Sequence, residues 1–226
     1  MDEKEKQPVK EKTRIEKLRG GLDAFGDIFG LNICFIFACL PIVTIGAALV
    51  ALYSMCIRLQ ENEEETIIFG FVHEFKRNFK QATKTWIFIM IATVVIYTEF
   101  ILVTNFKGIL SIFYLVVMCI EIMFGLLVLP FIFPLIARYK NTFWGTFKNA
   151  ILLSVGYFGS CIKILVAWIA PIAFTFYLEP LILLYTWYLW VLFIPALIAY
   201  GTTFTVRKVF RINSERVENT KNGTAE

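Results

Sequence analysis

Three ionisable side chains stand inside long apolar runs of this chain, Glu99, Glu121 and Lys163, and their type and placement give them chemistry to do. A charge at the centre of a bilayer costs about 2.5–3.5 kcal/mol on insertion scales, so such residues face a helix bundle and find partners. Glu121 lies near the middle of the run 108–137, and Lys163 near the middle of 149–178. Consecutive membrane helices run antiparallel, so equal distance from a shared loop means equal depth. Glu121 and Lys163 are therefore expected to meet as a buried ion pair, one that fixes helix register or serves a proton or substrate path. Glu99 stands nearer the far end of its run, placed to share Lys163 or to reach water.

Other chemistries lack their residues. With His73 as the single histidine, a multi-histidine metal site is excluded. The five cysteines, Cys34, Cys39, Cys56, Cys119 and Cys161, sit in apolar segments without a C-x-x-C spacing and read as small hydrophobes. No H-E-x-x-H, G-x-S-x-G or G-x-x-x-x-G-K-[ST] occurs. Gly26-Asp27 lacks the second intramembrane aspartate of an aspartyl protease. No catalytic, cofactor or metal site is expected, and any ATP-driven role requires a separate ATPase. The net charge of +4 is small and mixed with acids, which gives no reason to expect nucleic acid as a partner.

The elements that position the three groups follow from hydropathy. Apolar residues make up 58% of the chain and charged residues 18%, against about 45–50% and about 25% in soluble domains. The excess has to face lipid, so the bilayer is the first partner. A spanning helix needs about 20 apolar residues. The runs 85–105, 108–137, 149–178 and 181–206 each suffice, the last three with internal prolines. The first region, 24–59, is long for one span and short for two, and Leu40-Pro41-Ile42-Val43-Thr44-Ile45-Gly46 interrupts it. Proline disfavours helix at the residue before it, and glycine permits a turn. Pro41, Thr44 and Gly46 are thus read as a structural turn between spans 24–40 and 45–59. Lysine and arginine placement supports this hairpin. Residues 1–23 are rich in basic residues, and 57–85 carries Arg58, Lys76, Arg77, Lys80 and Lys84. Both belong on the cytoplasmic side, so an even number of crossings separates them. The expected fold is an all-α membrane bundle of six helices in three hairpins. Both termini, including the tail 207–226, are cytoplasmic, and no cleavable signal peptide is apparent. Five crossings with a kinked first helix is the alternative.

An internal repeat accompanies the hairpins. Phe75-Lys-Arg-Asn-Phe79-Lys80-Gln81-Ala82 precedes one span, and Phe143-Trp-Gly-Thr-Phe147-Lys148-Asn149-Ala150 precedes another. Both read F-x-x-x-F-K-[Q/N]-A. Pro134-Leu-Ile-Ala137 and Pro195-Ala-Leu-Ile-Ala199 likewise end successive hairpins. Residues 66–84 have an apolar stripe of Ile67, Phe71, Phe75 and Phe79 with basic residues largely off it, as in a helix lying along headgroups. Phe75, Lys76, Arg77, Phe79 and Lys80 are the candidate interfacial or partner surface. Tyr185, Trp187, Tyr188 and Trp190 read as an outer aromatic belt, and Trp86 and Trp144 as inner anchors.

Leu40-Pro-Ile-Val-Thr-Ile-Gly-Ala-Ala-Leu49, then Ala51-Leu52-Tyr53, then Phe75-Lys-Arg-Asn-Phe-Lys-Gln-Ala-Thr83, resemble the bacterial YesL-like membrane proteins (domain of unknown function family 624). The resemblance is specific over about 25–90. It implies a multi-pass protein of the plasma membrane. It also implies a role linked to carbohydrate uptake, with carbohydrate ABC-transport proteins or two-component sensors as candidate partners. It carries over no catalytic residue. The expected function is an accessory or regulatory membrane component, not an enzyme. The alternative is a small transporter using the Glu121 and Lys163 region.

Overall fold

The computed structural model describes residues 25–61, 66–177 and 192–223, together with Tyr188 and Trp190. Helix α1, Phe25–Cys39, ends where Pro41 enforces extended backbone (φ −80°, ψ 119°). A 3-10 turn, Ile42–Thr44, leads directly into α2, Ile45–Gln60. Helix ends leave carbonyls without intrahelical donors. Here the Thr44 hydroxyl meets one of them, lying 2.6 Å from the Ala38 oxygen, and also lies 2.7 Å from the Pro41 oxygen. Pro41 and Thr44 stand at the bend, while Gly46, expected as part of it, lies inside α2 because the helix restarts at Ile45.

Helix α3, Ile67–Asn105, follows, and then α4, Ile109–Arg138. Of the three residues between them, Gly108 has φ +74°, a conformation that glycine adopts without a Cβ penalty. Pro130 and Pro134 lie inside α4 without ending it. Beyond Tyr139 come α5, Phe143–Gly156, then α6, Phe158–Tyr177, and finally α7, Ile194–Gly223. No strand occurs among the described residues.

Helix α2 is the hub. From Gly46 to Ile57 all but one of its residues are buried, and it packs against α3, α4 and α7. Its small residues explain this. Gly46, Ala47, Ala48 and Ala51 leave room for neighbouring backbones to come close, the usual basis of helix association in lipid. At Gly46 a Cβ would stand 2.5 Å from Cβ of Trp86 and 2.7 Å from the Ala82 oxygen. Trp86 Nε1 donates to the Ile42 carbonyl at 2.8 Å, and at the other end Arg58 meets Glu74. Helix α2 therefore runs antiparallel to the first half of α3. Glu74 to Trp86 covers about 18 Å at 1.5 Å per residue.

Several expected boundaries move. The amphipathic segment 66–84 and the span 85–105 form one uninterrupted helix of 39 residues, because neither proline nor glycine separates them. That helix is about 58 Å long, roughly twice the hydrocarbon thickness. Its basic half packs on α2. Its apolar half packs on α4 and presents Ile91, Val94, Phe100 and Ile101 outward. The tip of the first hairpin therefore reaches only the start of 85–105, with Leu40 and Ile42 exposed. The span expected over 149–178 is split at Gly156-Tyr157. There the Tyr157 amide caps α5 on the Leu153 oxygen, while its carbonyl accepts from Ser160 and Cys161 to start α6.

Among the described residues, four stretches are long and apolar enough to cross a bilayer: Ile42–Gln60, Ile67–Asn105, Ile109–Arg138 and Phe158–Thr175. Helix α1 has the composition but only about 22 Å of length. Residues 1–23 and most of the first half of the run 181–206, with Tyr185 and Trp187, lie outside the described residues. The fold is an all-α polytopic membrane bundle.

Replacing Gly46 with alanine should destabilise the bundle by about 1–3 kcal/mol, the usual range for overpacking. Gly26→Ala, where a Cβ meets nothing within 4 Å, should not destabilise it. Thermal unfolding of both variants in detergent checks this.

Candidate functional site

The three groups in the apolar runs do not assemble as their spacing suggests. Glu99 is 9% exposed and Glu121 is half-buried, and each keeps one carboxylate oxygen, Oε2, buried without a hydrogen-bond partner. Both stand on the α3–α4 hairpin, Glu99 in α3 and Glu121 in α4. Lys163 is exposed on α6, and no ion pair joins it to Glu121. Depth matching fails because it assumes a straight helix after the loop. The Ser154 hydroxyl bonds the Leu127 carbonyl, and seven residues later Cys161 Sγ lies 3.7 Å from that of Leu126. A straight helix advances about 10 Å over seven residues. Here the break at Tyr157 cancels that advance, and Lys163 loses its expected level.

The well-built polar site lies at the other end of α2. Glu74 has no exposed side-chain surface. Arg58 Nη2 donates to its Oε1 at 2.6 Å, and Arg77 Nη2 lies 2.5 Å from its Oε2. Asn78 Nδ2 adds a bond to Oε2 at 3.2 Å. Both oxygens are satisfied, as a buried carboxylate requires. One turn beyond Arg58, Glu61 accepts from Arg138 Nη1 at 2.9 Å and lies 3.4 Å from Arg207 Nη2. Arg207 Nη1 also donates to the Gln60 carbonyl at 3.0 Å. The C-terminal end of α2 is thus fastened to α3, α4 and α7. The three basic segments that the charge rule assigns to one face, 57–85, 138–148 and the tail, converge at this end.

Of the candidate partner surface, Lys76, Phe79 and Lys80 are exposed, Phe75 is half-buried, and Arg77 is engaged with Glu74. Phe71, Phe75 and Phe79 form a continuous ladder, with centroids 6.4 and 5.4 Å apart.

The repeat appears as matched local structure. Phe75 and Phe79 pack at 5.4 Å and 58°, Phe143 and Phe147 at 5.0 Å and 56°. The lysines of both copies are exposed, and both alanines, Ala82 and Ala150, are fully buried. The copies also touch. Gln81 Nε2 donates to Thr146 Oγ1 at 3.0 Å, and the Lys84 ammonium stands 4.6 Å over the Phe143 ring. The two hairpin ends dock alike on α2, where Ser54 reaches the Ala137 carbonyl and Gln60 that of Tyr200.

Sequence reasoning gave Glu74, Glu61 and Tyr53 no site role. Glu74 carried one signal, an acid three residues before Arg77 in a basic segment. Tyr53 stood only within the Ala51-Leu52-Tyr53 motif. Its hydroxyl accepts from Trp168 Nε1 at 2.9 Å and meets Thr202 Oγ1 at 3.2 Å, tying α2 to α6 and α7. Beside it lies an apolar cavity of about 420 Å³ lined by Leu49, Trp86, Phe133 and Trp168.

Fold and site define a polytopic α-helical membrane protein whose hub helix is locked by charge at one end and by backbone contact at the other. Residues 28–100 match the family described as "Protein of unknown function, DUF624", the family that the Leu40–Leu49 and Phe75–Thr83 motifs resemble. The matched stretch coincides with α1, α2 and most of α3, the units joined by Gly46, Trp86, Arg58 and Glu74. No curated protein and no solved structure matches the chain.

Glu74→Ala should cost about 1–3 kcal/mol. A fully buried pair costs about 3–5 kcal/mol when one partner is removed, but Arg58 and Arg77 keep some contact with water. Glu74→Gln should recover part of the loss through its remaining amide oxygen. Denaturant unfolding in detergent measures both.

Proposed function

We propose that this protein is an accessory or regulatory component of the bacterial plasma membrane, acting with carbohydrate uptake or sensing machinery and not as an enzyme. Its basic end faces the cytoplasm, following the rule that lysine and arginine stay inside. The carbohydrate connection rests on the family resemblance. The docking role is supported by one observation: Lys76, Phe79 and Lys80 project from a helix half that Glu74 anchors and that continues without a break into the lipid-facing half. A rigid helix of that kind can pass a displacement at the docked face into the membrane.

Crosslinking and pull-down of the full-length protein from its native membrane should recover a carbohydrate permease, its ATPase or a sensor kinase. Lys76→Glu with Lys80→Glu should abolish the recovery, while Lys107→Glu leaves it intact. Equal recovery with both variants removes the docking surface.

The second reading is a small transporter in the region of Glu99, Glu121 and Lys163. The buried, unpartnered Oε2 atoms of Glu99 and Glu121 favour it, since such groups mark ion or proton paths. In proteoliposomes Glu121→Gln should then abolish flux while leaving insertion intact. With Lys163 exposed, Lys163→Gln should have the smaller effect. Unchanged uptake in cells carrying Glu121→Gln favours the accessory role.

A further inference from the structure

The charged end of the bundle also encloses a cavity of about 440 Å³ between the C-terminal ends of α2 and α4 and the middle of α7. Among the described residues, Arg138, Arg207, Lys208 and Arg211 line it with Glu61 as the one acid, and Glu215 lies beside Arg211. Among these residues cations outnumber carboxylates. Glu61 spends its charge on Arg138 and Arg207, and in doing so orients both guanidinium groups at the cavity wall. Each guanidinium has five N–H donors, so both keep donors beyond these bonds. Among the described residues, Arg211 is held by an exposed contact to Glu215 at 3.9 Å, and pairs of that kind contribute little. Lys208 is exposed at the rim.

We infer that this cavity binds a phosphate group. Fixed guanidinium forks beside a flexible ammonium match tetrahedral, multiply charged oxygen geometry. Its position points the same way. Arg138 ends the α4 span, at headgroup level, and basic pockets between membrane helices at that level take phospholipid head groups. Two sources supply the same chemistry, the phosphodiester of an anionic lipid and a soluble phosphate monoester. The cavity goes beyond the accessory role and stands or falls separately from it.

The full-length protein in nanodiscs provides the test, read by its thermal unfolding midpoint. The probes are phosphatidylglycerol against phosphatidylcholine discs, and inorganic phosphate or glycerol phosphate added to phosphatidylcholine discs. The informative variant is Lys208→Gln with Arg211→Gln, which leaves the bonds of Glu61 to Arg138 and Arg207 intact and so should keep the wild-type midpoint in phosphatidylcholine. A rise with phosphatidylglycerol that this variant loses, while Lys107→Gln keeps it, supports the site with lipid as the source. A rise with soluble phosphate, its apparent affinity weakened at least about tenfold in the double variant, supports the site with a soluble source. No rise with any probe, or a rise unchanged in the double variant, overturns the proposal.

Discussion

The close approach of α2 to α3 at Gly46 governs the rest of the structure. Lipid offers no hydrophobic drive for one helix to choose another, so packing and polar contacts must supply it. A glycine against Ala82 and Trp86 allows backbone-level contact, and the Trp86 indole closes it with a bond to Ile42. Once that contact is made, the antiparallel register carries Arg58 to Glu74. The hub helix then offers α4 and α7 a surface of small and medium side chains. Ser54 and Gln60 donate to carbonyls of α4 and α7, and the Tyr53 hydroxyl meets both Trp168 and Thr202.

The charged end complements this contact. A carboxylate as deeply buried as Glu74 survives because both oxygens are bonded, and the resulting cluster joins segments distant in the chain. Charge here has two roles that need not conflict. The acids Glu61 and Glu74 hold helices together, while Lys76, Lys80, Lys208 and Arg211 remain exposed at the surface. The apolar half of α3 and the first half of α4 take part in no ion pair among the described residues, and their outward faces are suited to lipid.

Much of this was legible in residue order. The apolar runs, the Pro41 turn, the repeated Phe-Lys-Ala pattern and the grouping of basic segments all stem from local chemistry, and the structure displays each. The break at Tyr157 was not legible, because Gly156 sits in a run whose hydropathy is unbroken. The ion pair expected between Glu121 and Lys163 depended on straight helices and failed at that break. Glu99 and Glu121 instead each keep a buried oxygen without a partner on the α3–α4 hairpin, which turns at Gly108.

Lipid as solvent, an all-α fold and the placing of basic residues at the ends of apolar runs were determined by sequence alone, because hydropathy, proline geometry and charge bias act within a few residues. Which polar groups are satisfied, where α3 stops being surface and becomes core, and which cations remain available at the charged end were decided only in three dimensions. Those outcomes depend on helix register and rotation, and a single residue of slip or one kink turns a side chain by about 100° and changes its neighbours.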